Sequence, residues 1–232
     1  MQHAIIRTKA NDAKKFIGAK AILSIHKPKV ESNQWSSSRI KLINGGDSIE
    51  FGWMVNPEKF KDYEPHLYAK FAAGGKGCIN TECPGYVQVD EKSSLGTMLP
   101  KSMAIALSIG KRVDGNWSLS ITYKGAVYPI GYWPKTLFSS MAEVASQIEW
   151  GGEIYNPGAS KSQPEMGTGK KATFDDEISA YFTQAKIADE NGQYVEPYDV
   201  EEEADCKHFY TVIDAGHPGH SAWRVFYYGG TG

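Results

Sequence analysis

The chain has 232 residues, 41% hydrophobic and 22% charged, with a formal net charge of -2, which is the composition of an ordinary globular protein long enough for one β-sandwich. Near-neutral charge without a dense run of Lys and Arg among aromatics argues against a nucleic-acid partner. No apolar stretch approaches the roughly 18 residues of a spanning helix, so no membrane partner is expected.

The start, "MQHAIIRTKANDAKK", lacks the apolar segment of a secretory signal. From there strand signals dominate, at 19–30, 48–55, 66–73, 85–90, 103–113, 116–125, 126–133, 148–155, 180–189, 208–214 and 223–230. Each alternates or runs apolar between Gly, Pro, Asn and Asp. In "NWSLSITY", for instance, Trp117, Leu119, Ile121 and Tyr123 fall on one face and Ser118, Ser120 and Thr122 on the other. One helix is expected over 134–148, where Pro134 opens the segment and Leu137, Phe138, Met141, Val144, Ala145 and Ile148 recur at helical spacing. The stretch 156–177 reads as a loop, and its "GTGKK" does not satisfy phosphate-loop spacing. The acidic run 200–205 reads as a solvated turn, since it lacks the ligand pattern of a calcium loop. Many short strands and one short helix predict an all-β fold, a two-sheet antiparallel sandwich forming a single domain over 1–232.

Three cysteines leave two readings open. Cys78 and Cys83, in "GCINTECPG", are close enough to bridge a small loop, or all three thiols, Cys206 included, stay reduced. "HPGH" (His217, His220) is a solvated turn rather than a zinc site, and no metal is expected.

Two carboxylates have unusual neighbours. In "SIEFGWMV", Glu50, Gly52 and Met54 share a face, with Ile49, Phe51, Trp53 and Val55 opposite. In "IEWGGEIY", Glu149, Gly151, Glu153 and Tyr155 share a face, with Ile148, Trp150, Gly152 and Ile154 opposite. Glycine weakens a strand interior, so an acid beside glycine on one face, occurring twice, suggests close approach of something such as a substrate backbone. If Glu50 and Glu153 met across a sheet they would share a proton and could do acid/base work.

The blocks "SIEFGWMVNPEKF", "GCINTECPGYVQVD", "GYWPKTLF", "EWGGEIYN", "EMGTG" and "FYYGG" resemble, in order and spacing, those of the neprosin family, plant proteins that include glutamic-type prolyl endopeptidases. The resemblance implies a sandwich of two curved antiparallel sheets, a catalytic pair of glutamates, no cofactor, and acid-dependent cleavage of peptide or protein after proline. Carried over position by position, the catalytic pair is Glu50 and Glu153, with Glu149 outside it as an ordinary strand residue. Gly52 and Gly151 are then substrate-facing, and Glu165 stands where the family usually has Gln. The Cys78–Cys83 bridge matches a family disulfide, so an extracellular or other secretory compartment is implied. The family's precursors carry a signal peptide and pro-segment; this chain is expected to be a catalytic domain without them, shortened at its C-terminus, and a monomer.

A proline pocket needs flat apolar surface. Trp53, Trp133, Trp150, Tyr132 and Tyr227 lie in matching blocks and are the candidates, although Trp53 and Trp150 alternate away from the glutamates and are expected in the core unless a bulge intervenes. Two other functions stay open: a non-catalytic sandwich that binds peptide or cell-wall glycan, and a glycosidase, which also uses paired carboxylates.

Overall fold

Alternating apolar residues build two antiparallel sheets in a computed structural model that describes residues 1–9, 14–90, 93–158, 162–217 and 223–232. The first sheet has seven strands, in the order β14 (Val200–Ala204), β1 (Gln2–Thr8), β11 (Gln147–Tyr155), β3 (Trp35–Asn44), β4 (Asp47–Val55), β5 (His66–Ala73) and β6 (Lys76–Ile79). The second runs β15 (Tyr210–Gly216), β16 (Val225–Gly230), β12 (Ala180–Asp189), β2 (Phe16–Ile25), β8 (Met103–Lys111), β9 (Trp117–Tyr123), β10 (Ala126–Trp133) and β7 (Val87–Gln88), with β13 (Tyr194–Val195) against β12.

The core lies between the sheets. Ile148, Trp150 and Ile154 of β11 and Ile49, Phe51, Trp53 and Val55 of β4 turn inward to meet Leu107, Ile109, Trp117 and Leu119 of the second sheet, all at 0–1% exposure. Burying each such side chain contributes about 1.5–3 kcal/mol. Because side chains alternate, the remaining residues of β4 and β11, the glutamates among them, are sent to the outward face of the first sheet.

The expected helix over 134–148 does not form. A single 3-10 turn, Lys135–Leu137, is followed by turns, and the chain enters β11 at Gln147. The cause is Asp47, whose carboxylate accepts the backbone N–H groups of Ser139, Ser140 and Met141 and folds this stretch around itself. Phe138, Met141 and Ala145 still reach the core, and Ala145 forms a bridge with Phe16. The short α-helix is α1 (Pro57–Phe60), with Asn56 accepting from Lys59 N–H at 3.1 Å and Pro57 at its first position.

Two further corrections concern strands. The acidic run is not a turn: it forms β14 and pairs with β1. Residues 2–8 and 35–44, absent from the expected strands, are β1 and β3, the two neighbours of β11. Cys78 and Cys83 are bridged, with Cα atoms 6.1 Å apart, and Cys206 is a free thiol. His217 lies 2.8 Å from Glu196, while His220 falls outside the described residues. Among the described residues no helix is long and apolar enough to cross a membrane.

Candidate active site

Residues directly opposite in an antiparallel pair share a face, so the register defines the site. One row across β5, β4, β3, β11 and β1 reads Tyr68, Gly52, Arg39, Gly151, Ile5. The next reads Lys70, Glu50, Lys41, Glu149, Arg7, and on the other side lies His66, Met54, Ser37, Glu153, His3. Glu50 and Glu153 therefore stand on one face, two strands apart, with Arg39 of β3 between them.

Arg39 is 2% exposed; its Nη2 lies 2.8 Å from Glu149 Oε2 and its Nε 3.4 Å from Glu153 Oε2. Glu50 Oε1 lies 3.2 Å from Lys41 Nζ and 3.7 Å from Lys70 Nζ, and its Oε2 accepts from the Tyr68 hydroxyl at 3.4 Å. Ser37 Oγ donates to the Glu153 carbonyl at 3.3 Å.

Glu50, Glu149 and Glu153 are 2%, 8% and 7% exposed, and a carboxylate so buried is tolerated only when paired. Here three carboxylates face the three cations Arg39, Lys41 and Lys70. Burial pushes the Glu50 carboxyl up, but Lys41, Arg39 and Lys70 together outweigh it and hold Glu50 below its ordinary range. Burial likewise opposes the charge on Arg39, and Glu149, Glu153 and Glu50 overcome it, so the guanidinium stays charged. Burial, reinforced by Glu50, raises the Tyr68 hydroxyl well above its usual value and keeps it a donor.

Glu50 opens into a cavity of about 420 Å³ lined also by Trp35, Met54, Asn56, Lys59 and Lys70. At its edge Trp35 stacks on Tyr155, ring centroids 6.0 Å apart and planes 18° from parallel. Tyr155 follows Glu153 by two residues on the same strand face.

The glycines beside the glutamates answer to neighbouring strands. A Cβ on Gly52 would sit 1.8 Å from the Ser38 carbonyl oxygen of β3, and one on Gly151, at φ +149°, 2.3 Å from the Ala4 carbonyl oxygen of β1. Backbone does approach closely at both positions, but it is the protein's own.

Of the aromatic candidates, Trp53, Trp133 and Trp150 are at 0% exposure in the core, Trp53 donating through Nε1 to the Ser24 carbonyl at 2.9 Å. Tyr132 lies on the second sheet with Arg112 5.0 Å above its ring, and Tyr227 lies on β16 opposite Tyr181 and Ile213. None of the five reaches the glutamates: the Trp side chains face inward, and the two tyrosines belong to the other sheet. Glu165 holds its loop to the segment before β3, its Oε2 accepting from Lys29 N–H at 2.8 Å and its own N–H donating to the Lys29 carbonyl at 2.9 Å.

Sequence reasoning missed Arg39, Lys41, Tyr68, Lys70 and the part played by Glu149. Spacing by two carries a signal for β3 in retrospect, since Trp35, Ser37, Arg39 and Lys41 share one face. Toward the sheet edge the charged face continues: Arg7 pairs with Glu201 at 2.7 Å and Glu203 at 2.6 Å. His3, Glu203 and Asp205 offer ligand atoms within 4.8 Å of one another, but His3 already pairs with Glu203 at 3.0 Å and Asp205 at 2.9 Å.

The two-sheet sandwich is a fold shared with solved glutamic peptidases. Scytalido-glutamic peptidase bound to a transition state analog inhibitor aligns with a TM-score of 0.57 at 8% identity, over 98% of this chain and 96% of that one. SCP-B, a member of the Eqolisin family solved with the tripeptide Ala-Ile-His, aligns with a TM-score of 0.52 at 10% identity, over 97% and 96%. The chain itself belongs to the Neprosin family, whose model matches residues 32–231.

Proposed function

We propose that the protein is an acid-acting endopeptidase in which Glu50 and Glu153 activate water for cleavage after proline. The observation that carries this reading is that both glutamates, at the positions implied by the family blocks, are buried on one sheet face, two strands apart, and linked through Arg39.

Glu50, held ionised by Lys41, Arg39 and Lys70, is the base. It takes a proton from water as the water oxygen bonds to the scissile carbonyl carbon. Glu153, protonated in acid, hydrogen-bonds the carbonyl oxygen and then gives its proton to the leaving amine as the C–N bond breaks. Glu50 ends protonated and Glu153 ionised, and solvent reverses both. No covalent intermediate forms.

For proline, the stacked pair Trp35 and Tyr155 replaces the buried tryptophans as the flat apolar surface, because Trp35 lines the same cavity as Glu50. The Cys78–Cys83 bridge fits a secretory or extracellular setting. The test is hydrolysis of proline-containing peptides across acid pH by wild type, Glu50→Gln and Glu153→Gln. Each variant is expected to lose roughly 10²–10⁴-fold in kcat. Unchanged activity in both rules out the dyad, and a folded but inactive wild type favours a binding module.

A further inference from the structure

Glu149 lies on the same face as Glu153, 8% exposed, and takes the shorter of the two contacts that Arg39 makes, 2.8 Å against 3.4 Å. A guanidinium prefers to close a two-pronged pair with one carboxylate. Arg39 instead divides its fork between two, and its Nη1 has no hydrogen-bond acceptor among the described residues. The donor capacity needed to lock Glu153 in the ionised state is therefore present and diverted.

Resting on the dyad proposed above, we infer that Glu149 is a positioning residue that draws Arg39 away from Glu153, leaving Glu153 free to carry the catalytic proton. The other groups facing Glu153 do not do this. From β1, His3 is opposite Glu153 but paired with Glu203 and Asp205 of the β14 edge, and Arg7 is paired with Glu201 and Glu203. From β3, Ser37 donates to the Glu153 carbonyl rather than its carboxylate, and Lys41 is on Glu50. From β4 and β5, Glu50 is held by Lys41 and Lys70, and Tyr68 donates to Glu50. Arg39 is the cation that decides, and Glu149 is its competing partner.

The experiment is the pH–rate profile on a proline-containing peptide for wild type, Glu149→Gln, Glu149→Asp and Arg39→Gln, with Glu50→Gln and Glu153→Gln as controls. Activity ends on the alkaline side when the acid is deprotonated. Glu149→Gln, by releasing Arg39 to Glu153, is expected to move that limb down by about one pH unit and to lower kcat at the wild-type optimum about tenfold, with KM within about twofold. Glu149→Asp is expected to restore the limb toward wild type, and Arg39→Gln to move it up. A merely structural role would lower thermal stability and leave the limb in place.

An unmoved limb in Glu149→Gln overturns the inference, whatever Arg39→Gln does. So does a Glu149→Gln limb that moves up. Should Glu149→Gln not fold, Glu149→Asp decides: its shorter carboxylate holds Arg39 less closely, so its limb is expected below that of wild type, and a limb that stays in place or moves up overturns the inference. Activity persisting in the two control variants is a separate result that removes the dyad, whatever Glu149 does.

Discussion

Replacing Gly52 by Ala separates two reasons for a glycine beside a buried acid. If the glycine makes room for substrate, the variant folds normally and only KM suffers. If it makes room for β3, the fold suffers first. The added Cβ would sit 1.8 Å from the Ser38 carbonyl oxygen and 2.8 Å from the Arg39 Cα. An ordinary carbon–oxygen contact is roughly 3.3 Å, so β3 and β4 must part or twist by roughly 1.5 Å, and both are backbone with no side-chain rotamer to yield. Overpacking of this kind costs on the order of 3 kcal/mol. In a domain of this size that is a fall in Tm of roughly 6–12 °C. Gly52 and Arg39 are directly opposite, so the same displacement moves the guanidinium against Glu149 and Glu153, and kcat falls with stability. Thermal unfolding together with kcat and KM of Gly52→Ala reads both effects. Wild-type Tm with a raised KM alone would refute the backbone argument and restore the substrate reading.

Trp35→Ala removes the stacked surface at the cavity edge and is expected to raise KM for proline peptides about tenfold, with Tm nearly unchanged; equal losses on peptides lacking proline would remove the specificity role. Burial lowers the His26 pKa from 6.5 to about 4, so the unfolded chain takes up a proton that the folded one refuses. Stability is therefore whole above pH 6.5 and falls by up to about 3 kcal/mol as pH drops to about 4. His26→Gln, compared with wild type by denaturant unfolding at pH 7 and pH 4, should flatten that fall; an identical fall in both proteins contradicts it.

What could be read from the sequence depended on whether each strand's core face was apolar. β4 and β11 put Ile, Phe, Trp and Val on alternate positions, which settled the inward turn of Trp53 and Trp150 and the outward turn of Glu50 and Glu153. β3 resists the same reading because its inward positions begin with Ser36 and Ser38, both fully buried, before Ile40 and Leu42 restore the pattern. The Ser36 and Ser38 hydroxyls are buried polar atoms inside the core, which no binary pattern encodes. With β3 unseen, Arg39 and Lys41 had no place in the site, and Glu149 lacked the partner that distinguishes it from a solvated strand residue. β14 was hidden for a related reason. Three successive glutamates look like a solvated turn until Arg7 of β1 pairs with Glu201 and Glu203 and the Asp214 N–H donates to Glu202. In 134–148 the spacing of apolar residues was real, but a helix was not its cause. Asp47, nearly a hundred residues earlier, gathers the backbone N–H groups of that stretch, and Phe138, Met141 and Ala145 reach the core without a helix.

The charge balance of the site also governs how the fold responds to acid. Glu50 has its pKa held down by Lys41, Arg39 and Lys70, despite burial, and Asp47 by the N–H groups of Met141, Ser139 and Ser140. A depressed carboxyl stabilises the fold above its ordinary titration range, and that stability is lost only as pH falls through the lowered folded value. The same depression that keeps Glu50 ionised therefore keeps the β3–β4–β5 ion pairs intact while the medium becomes acidic. Protonation of Glu50 would leave Lys41, Lys70 and Arg39 with one buried counter-charge fewer. In the reading proposed above, this makes Glu50 the member of the pair that stays ionised: Lys41 and Lys70 both lie on its carboxylate, whereas Glu153 has the guanidinium that it shares with Glu149.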